Sequence, residues 1–416
     1  MKVLHTSDWH LGRALYGQQR YGEFQQFLDW LAATIEKEQV DILLVAGDIF
    51  DTATPSNRAQ SLYYAFLCRV AISSCRHIII IAGNHDSPTF LDAPKALLRS
   101  LNVHVVGGVT ENIADEILLL KDAEGCAELL VCAVPYLRDR DIRLVEAGES
   151  SADKDQKLLQ GIREHYQQIA TVAESQRQAL GLDIPIIAMG HLFTAGGQTV
   201  DGDGVRELYI GSLAHIDASI FPAHFDYVAL GHLHVPQKVG GHEHIRYSGS
   251  PIAMGFGEAR QQKSVCLVDF SHPAVAKIKA KPSVALLPVP VFQALAQVSG
   301  NWAEIAAQLR PLIESSEPVW LEVVYQGDDI ISNLRERLES LLEGSVLLIL
   351  RIQNTRLIDR VLNSHHADES LEDLSVDDVF ARCLTAHEIP DSQQAELLHT
   401  YRQVLSALND DDLRAE

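Results

Sequence analysis

Carboxylates, imidazoles and one amide recur in five short islands of this sequence: Asp8-Trp9-His10, Gly47-Asp48-Ile49-Phe50-Asp51, Gly83-Asn84-His85-Asp86, Gly190-His191 and Gly231-His232-Leu233-His234. These are ligands for divalent cations, and Asp8, His10, Asp48, Asn84, His191, His232 and His234 suffice for two of them. Mixed oxygen and imidazole donors without thiolate favour an ion such as Mn²⁺ over a structural zinc, with iron and zinc left open. Asp48 is expected to offer one oxygen to each cation, and a bridging carboxylate holds such a pair about 3.5–4 Å apart. On extended backbone, side chains at i and i+2 share a side, so Asp8 pairs with His10 and His232 with His234. A metal pair of this kind polarises a phosphoryl group and generates hydroxide near neutral pH, which implies hydrolysis of a phosphate ester. His85, facing away from Asn84, is expected to contact the scissile phosphate and protonate the leaving alkoxide. Asp51 and Asp86 are candidates to orient it or tune its pKa.

Something must converge these islands. Each follows an apolar run that reads as a buried strand: Lys2-Val3-Leu4, Ile42-Leu43-Leu44-Val45, Ile78-Ile79-Ile80-Ile81, Ile184-Pro185-Ile186-Ile187-Ala188 and Tyr227-Val228-Ala229-Leu230. The ligands are therefore expected at one edge of a sheet, with glycines 47, 83, 190 and 231 allowing tight turns or close backbone approach. One Asp-x-His alone carries little, because surface histidine pairs are common; five islands in this order carry the assignment. His5, His77, His104, His242 and His244 read as structural. The run from Tyr136 to Arg143 reads as a solvated loop, retained with Arg13 and Arg20 as a phosphate-contacting patch.

At 416 residues and 47% hydrophobic content the chain can build a large α/β core plus one or two smaller modules. No apolar stretch approaches the roughly 20 residues of a membrane span and no signal peptide is evident, so a cytoplasmic protein without membrane contact is expected. Six scattered cysteines read as reduced thiols. The net charge of −22 argues against general affinity for nucleic acid, which needs Lys and Arg to neutralise phosphate. Residues 355–416 hold fourteen Asp and Glu against five Arg and no Lys, so −9 of that charge sits at the end. A role on DNA must then rest on metals, a local basic patch or a partner.

Helical periodicity predicts helices over Tyr21–Gln39, Asn57–Ala71 and 153–180, and a strand over Lys263–Phe270, with Arg246 to Pro251 as a loop facing the site. The proline-bearing segment Ser271–Pro290 reads as a linker. Beyond it, helix over Asn301–Leu309, strand over Pro318–Tyr325, helix over Asp328–Leu342 and strand over Ser345–Arg351 make a small α/β module. The remainder reads as helical, with a capping box at Ser375 and Asp378.

The five islands resemble the calcineurin-like metallophosphoesterase signature in full. The longer blocks His5–Gly12, Ala46–Thr52, Ala82–Ser87 and Tyr247–Pro251 resemble the nuclease subunits of bacterial SbcCD complexes over nearly the whole chain. That resemblance implies a metallophosphoesterase β-sandwich core flanked by helices (1–275), a small α/β capping domain (283–353) and an acidic helical partner-docking region (355–416). It implies two Mn²⁺ ions, one held by Asp8, His10, Asp48 and His234 and the other by Asp48, Asn84, His191 and His232, with His85 as the catalytic histidine. It also implies 3′-to-5′ exonuclease activity on double-stranded DNA and endonuclease activity on single strands and hairpins, in DNA repair, recombination and replication. Expected partners are DNA, an SbcC-type ATPase docked on helices at 375–408, and a second copy paired through helices 21–39 and 57–71. Two other readings stand beside it: a small-nucleotide phosphodiesterase or phosphatase, and a non-catalytic scaffold subunit.

Overall fold

Unbroken isoleucine and valine runs are the pattern of strands buried on both faces. In the computed structural model, which describes residues 1–142, 149–194, 217–270, 282–327, 331, 333–354, 384, 394, 397, 398 and 401, two six-stranded sheets pack face to face and helices cover their outer faces. Strands β1 (Lys2–Thr6), β2 (Ile42–Ala46), β3 (His77–Ile81) and β4 (Val103–Val106) run parallel in the first. The second contains β5 (Ile117–Lys121), β6 (Ala127–Ala133), β7 (Ile186–His191), β8 (Tyr227–Gly231), β9 (Gln237–Val239) and β10 (His242–Tyr247), in spatial order β9-β10-β8-β7-β6-β5. Strands β11 (Ser264–Asp269) and β12 (Ser283–Pro288) complete the first sheet antiparallel, giving the order β12-β11-β1-β2-β3-β4.

Alternation along β2 shows how the layers form. Ile42, Leu44 and Ala46 enter the core between the sheets with Ile79, Ile81, Val131, Ile187, Met189 and Ala229. Leu43 and Val45 face the helices α1 (Tyr21–Glu38) and α2 (Asn57–Ala71), beside Phe24, Phe27, Leu31, Phe66 and Leu67. Trp9 sits edge-on to Phe27 (5.9 Å) and Phe66 (5.3 Å), which anchors the first ligand loop to this layer. On the far side α3 (Ser151–Leu180) lays Ile162, Tyr166, Ile169 and Ala173 over the second sheet.

The expectation of one sheet edge is corrected here: β1, β2 and β3 belong to one sheet, β7 and β8 to the other. Apolar runs signal burial but do not say in which sheet a strand lies. The linker at 271–290 is corrected as well, because Ser283–Pro288 is a strand paired with β11 over its whole length. It lies at the sheet edge with only Val284 and Leu287 half-buried, and its short apolar run Val284 to Leu287 stands between Pro282 and Pro288, the second of which falls where an edge strand tolerates a proline. Residues 271–281 lie outside those described. Arg246 and Tyr247 belong to β10 rather than to a loop.

Residues Met1–Phe292 form one compact unit and Gln293–Glu416 a second. In the second, β13 (Ala294–Gly300), β14 (Val319–Tyr325) and β15 (Leu348–Asn354) make a parallel sheet packed by α4 (Trp302–Ser315) and α5 (Leu334–Leu341). Helix α4 outruns its expected end at Leu309 because Pro311 costs one hydrogen bond while Leu312 and Ile313 continue the apolar stripe. Strand β15 begins three residues late, since Ser345 still closes the turn after α5 on the Leu342 carbonyl (2.9 Å). Of the helical region expected over 375–408, only residues 384, 394, 397, 398 and 401 are described, all with helical backbone. No helix among the described residues is long and apolar enough to cross a membrane.

Candidate metal centre

Side chains at the carboxyl ends of parallel strands point into the crevice where the chain leaves the sheet. Here β1 leads to Asp8 and His10, β2 to Asp48, and β3 to Asn84 and His85, while β7 ends on His191 and β8 leads to His232 and His234. The two sets meet across the sandwich. His191 donates its Nδ1 proton to the Ala46 carbonyl (2.8 Å), and a Cβ on Gly231 would collide with that same oxygen.

The extended i, i+2 geometry expected for the ligand pairs is not what forms. Asp8 (φ +54°), His10 (+48°), Asp48 (+51°) and His232 (+98°) are all left-handed, a conformation that costs an L-residue about 1–2 kcal/mol. Main-chain bonds from Asp8 N to Gly47 O (3.0 Å), His10 N to Asp48 O (3.0 Å) and Leu11 N to Ile49 O (2.9 Å) tie the first two loops together and coil them inward. Such strain persists where the surrounding packing fixes it, and it gathers at functional sites.

Two groups of donors result. In one, Nε2 of His10 and Nε2 of His234 lie 3.2 Å apart, with Asp8 in the same group. Each ring turns its Nδ1 towards a carboxylate: His10 to Asp51 (3.3 Å), His234 to Glu258 (3.5 Å). With a proton on each Nδ1, two nitrogen lone pairs would confront each other, an arrangement that repels unless a cation lies between. In the other group the Asn84 amide oxygen is 3.1 Å from His191 Nε2 and 3.0 Å from His232 Nδ1. Oδ2 of Asp48 faces both groups, at 3.5 Å from His10 Nε2 and 3.3 Å from His191 Nε2. Oδ1 accepts the His85 main-chain N–H (2.9 Å), so Oδ2 is the oxygen that stands nearest both groups. The donor set fits two divalent cations sharing Asp48.

Electrostatics agree with that fit. Burial, followed by the neighbouring His191, pushes the His232 imidazole down to about 3, and burial likewise lowers His10 despite Asp51 and Asp48, so both offer neutral ring nitrogens. Burial raises the Asp8 carboxyl, with His191 and His234 opposing. Burial would also raise Asp48, but His191, His10 and His85 outweigh it and hold the carboxylate well below its usual range. His191 is the reciprocal case: burial would lower it, and Asp48 lifts it to about 9. The Asp48–His191 pair calls for positive charge, which a proton or a metal ion supplies.

His85 donates from Nδ1 to the main-chain carbonyl of Asp51 (2.8 Å), and its ring meets His10 edge-on at 4.8 Å. The Asp51 carboxylate instead faces His10 and Arg13 (3.4 Å). Asp86 is engaged with the main chain. Its buried carboxylate accepts the N–H groups of Ile49 (3.1 Å), Phe50 (3.0 Å) and Gly83 (2.9 Å), which staples the Asp48 loop to the Asn84 loop. Burial, then Asp48, raises its carboxyl to about 6 against those three bonds.

Glu258 is the site residue that sequence reasoning missed. It is fully buried, faces His234, accepts the Met254 N–H (3.0 Å) and pairs with Lys263. Nothing in Gly255-Phe256-Gly257-Glu258 distinguishes it from a surface turn. Arg20 leaves the phosphate-contacting patch, being buried against Glu23 (2.8 Å), whereas Arg138 donates to the Asp86 carbonyl (3.2 Å) and Tyr136 meets His191 edge-on at 6.2 Å. Residues 139–142 are a short helix rather than a loop, and Arg143 lies outside the described residues. His5 is a buried structural histidine between Tyr227 Oη (3.0 Å) and the Leu230 carbonyl (3.1 Å).

Comparison with known proteins adds the following. Residues 1–236 match the family model described as calcineurin-like phosphoesterase, and residues 291–388 match one described as type 5 capsule protein repressor C-terminal domain. The chain is 40% identical to SbcD, the nuclease subunit of SbcCD, from Escherichia coli (strain K12) over 413 residues, 98% of each chain. It is 33% identical to the SbcD of Rhodobacter capsulatus, covering 86% of this chain and 88% of the relative. With the SbcD of Bacillus subtilis it shares 38% identity over 65% of this chain and 66% of the relative.

Proposed function

Since the chain belongs to the calcineurin-like phosphoesterases, and among them to the SbcD nuclease family, we propose that it is a dinuclear metal-dependent DNA nuclease. The observation that carries the chemistry is the confrontation of His10 and His234 ring nitrogens at 3.2 Å, beside an Asp48 oxygen shared with the second donor group. Asp8, His10, Asp48 and His234 would hold one cation and Asp48, Asn84, His191 and His232 the other, with Mn²⁺ suited to the oxygen and imidazole set. The pair would supply charge neutralisation at the phosphoryl group and an activated water.

The protein's own groups do the rest. Ala46 and Glu258 orient His191 and His234 through their Nδ1 atoms, which leaves Nε2 of each ring for ligation. Asp86 fixes the spacing of the Asp48 and Asn84 loops. His85 donates its Nδ1–H to the Asp51 carbonyl, which leaves Nε2 facing the site; with a second proton on Nε2, the imidazolium would pass that proton to the departing sugar oxygen and return to the neutral Nδ1–H form.

The substrates proposed are duplex ends, cut 3′ to 5′, and single-stranded or hairpin DNA, in repair, recombination and replication alongside an SbcC-type ATPase. The acidic helical end, 355–416, suits a basic protein surface, and helices α1 and α2 are the proposed contact with a second copy. Five described cysteines, Cys68, Cys75, Cys126, Cys132 and Cys266, are unpaired, which supports a reducing, cytoplasmic setting. Purified protein with Mn²⁺ should cut linear duplex and hairpin DNA and prefer it to bis(4-nitrophenyl) phosphate. Asp48→Ala should lose both metal occupancy and cleavage. Intact DNA, with and without the ATPase partner, would refute the nuclease reading.

A further inference from the structure

The block Tyr247–Pro251 contributes no cation ligand, yet its Ser248 is fully buried against Ser7, the neighbour of Asp8. The two sheets place it there. Strands β8 and β10 run parallel with Leu230 opposite Tyr247, so Gly231 and Ser248 leave the second sheet at the same level. Gly231 lets the first sheet come close, since a Cβ on it would stand 2.9 Å from that of Ser7. Tyr247 donates its hydroxyl proton to the Leu192 carbonyl (2.7 Å), and Gly249 turns the chain at φ +75°, where a Cβ would lie 2.7 Å from the His234 carbonyl oxygen. So held on both sides, Ser248 Oγ lies 2.8 Å from Ser7 Oγ.

Proton counting gives that contact a direction. With Asp8 ionised, as a cation ligand must be, Ser7 donates its one hydroxyl proton to Oδ2 of Asp8 (2.5 Å). Ser248 therefore donates to Ser7, in preference to the Gly249 carbonyl at 3.3 Å. The other carboxylate oxygen, Oδ1, accepts the His232 main-chain N–H (2.9 Å). Both oxygens of Asp8 are thus held, and each brace is anchored in the second sheet while Asp8 itself follows a strand of the first. Ser7, Asp8 and Ser248 are each 0% exposed, so bulk water does not compete for these bonds.

Resting on the dinuclear reading above, we propose that Ser7 and Ser248 act in series as positioning residues for the cation of the Asp8, His10 and His234 group. The hydroxyl chain fixes the orientation of the Asp8 carboxylate before the ion arrives, so less order has to be imposed when it binds. Neither hydroxyl bonds Asn84, His191 or His232. The effect is therefore confined to one ion of the pair.

The test strips the full chain of metal with a chelator and titrates it with Mn²⁺ by calorimetry and electron paramagnetic resonance, beside hydrolysis of bis(4-nitrophenyl) phosphate. Ser7→Ala should weaken one Mn²⁺ site about 10- to 100-fold and spare the other, so that spin-coupled pairs give way to isolated ions at limiting metal. Ester kcat should return at saturating Mn²⁺, because only occupancy is impaired. Ser248→Ala should show a smaller loss at the same site, and the double variant no more than Ser7→Ala, since a chain in series breaks once. Losses that multiply in the double variant, both sites weakened alike, a kcat that stays low at saturating Mn²⁺, or a lower melting temperature with both affinities intact overturns the proposal. A wild-type chain that takes up fewer than two Mn²⁺ ions removes the dinuclear reading and this proposal together.

Discussion

At the scale of single residues, the candidate ligands were legible because their chemistry is local, while the groups that aim them were not. Asp8, His10, Asp48, Asn84, His191, His232 and His234 announce themselves by type, but Glu258 acquires meaning only once the chain folds it onto His234. Removing its charge should reveal that role. Glu258→Gln combined with Lys263→Met, which avoids stranding a buried ammonium, should weaken metal binding about 10- to 100-fold by calorimetry while the fold survives; unchanged affinity would reduce Glu258 to a packing residue. His5 makes a separate prediction. Burial holds its imidazole down at about 3, whereas the unfolded chain protonates it near 6.5. The unfolded state thus binds more protons in that window, and stability falls as pH drops through it, by about 2 kcal/mol at pH 5 relative to neutral. Denaturant midpoints followed from pH 7 to 4 should fall less steeply for His5→Gln; parallel curves would show that His5 is not the group involved.

At the scale of elements, the five strands that precede the ligands were readable because burial on both faces leaves an unbroken apolar run, as in Ile78-Ile79-Ile80-Ile81. Strand β12 was not, since its apolar run Val284 to Leu287 is short and is enclosed by Pro282 and Pro288, which read as linker punctuation. The inward coil of the ligand loops was equally hidden, because the left-handed backbone at Asp8 and Asp48 is imposed by bonds between loops distant in sequence. Asp86 is the hinge of that arrangement. Asp86→Ala would leave the buried N–H groups of Ile49, Phe50 and Gly83 without their acceptor, at about 1–3 kcal/mol for each group left unsatisfied. Lower thermal stability and lower metal occupancy should therefore appear together, with Asp86→Asn intermediate. A variant of wild-type stability that cleaves slowly would instead return Asp86 to the role of orienting His85.

At the scale of the whole molecule, charge decides how DNA can be held. A chain with 34 Lys and Arg against 56 Asp and Glu repels a polyanion except where charge is locally reversed. Two divalent cations at the shared Asp48 would reverse it at the scissile phosphate, and Arg13 and Arg138 lie beside the loops that carry the ligands. Few phosphates can be neutralised by so small a patch, so the chain alone should bind DNA with a shallow salt dependence, a slope of log K against log salt of about −2 to −3. A basic partner docked on the acidic end would add contacts along the duplex and steepen that slope without altering the chemistry at the metal centre. Titrations of one labelled hairpin over a range of salt, with and without the ATPase partner, measure both slopes. If the isolated chain already shows the slope of the complex, the phosphate contacts are its own, and the acidic end has no part in recruiting a DNA-binding surface.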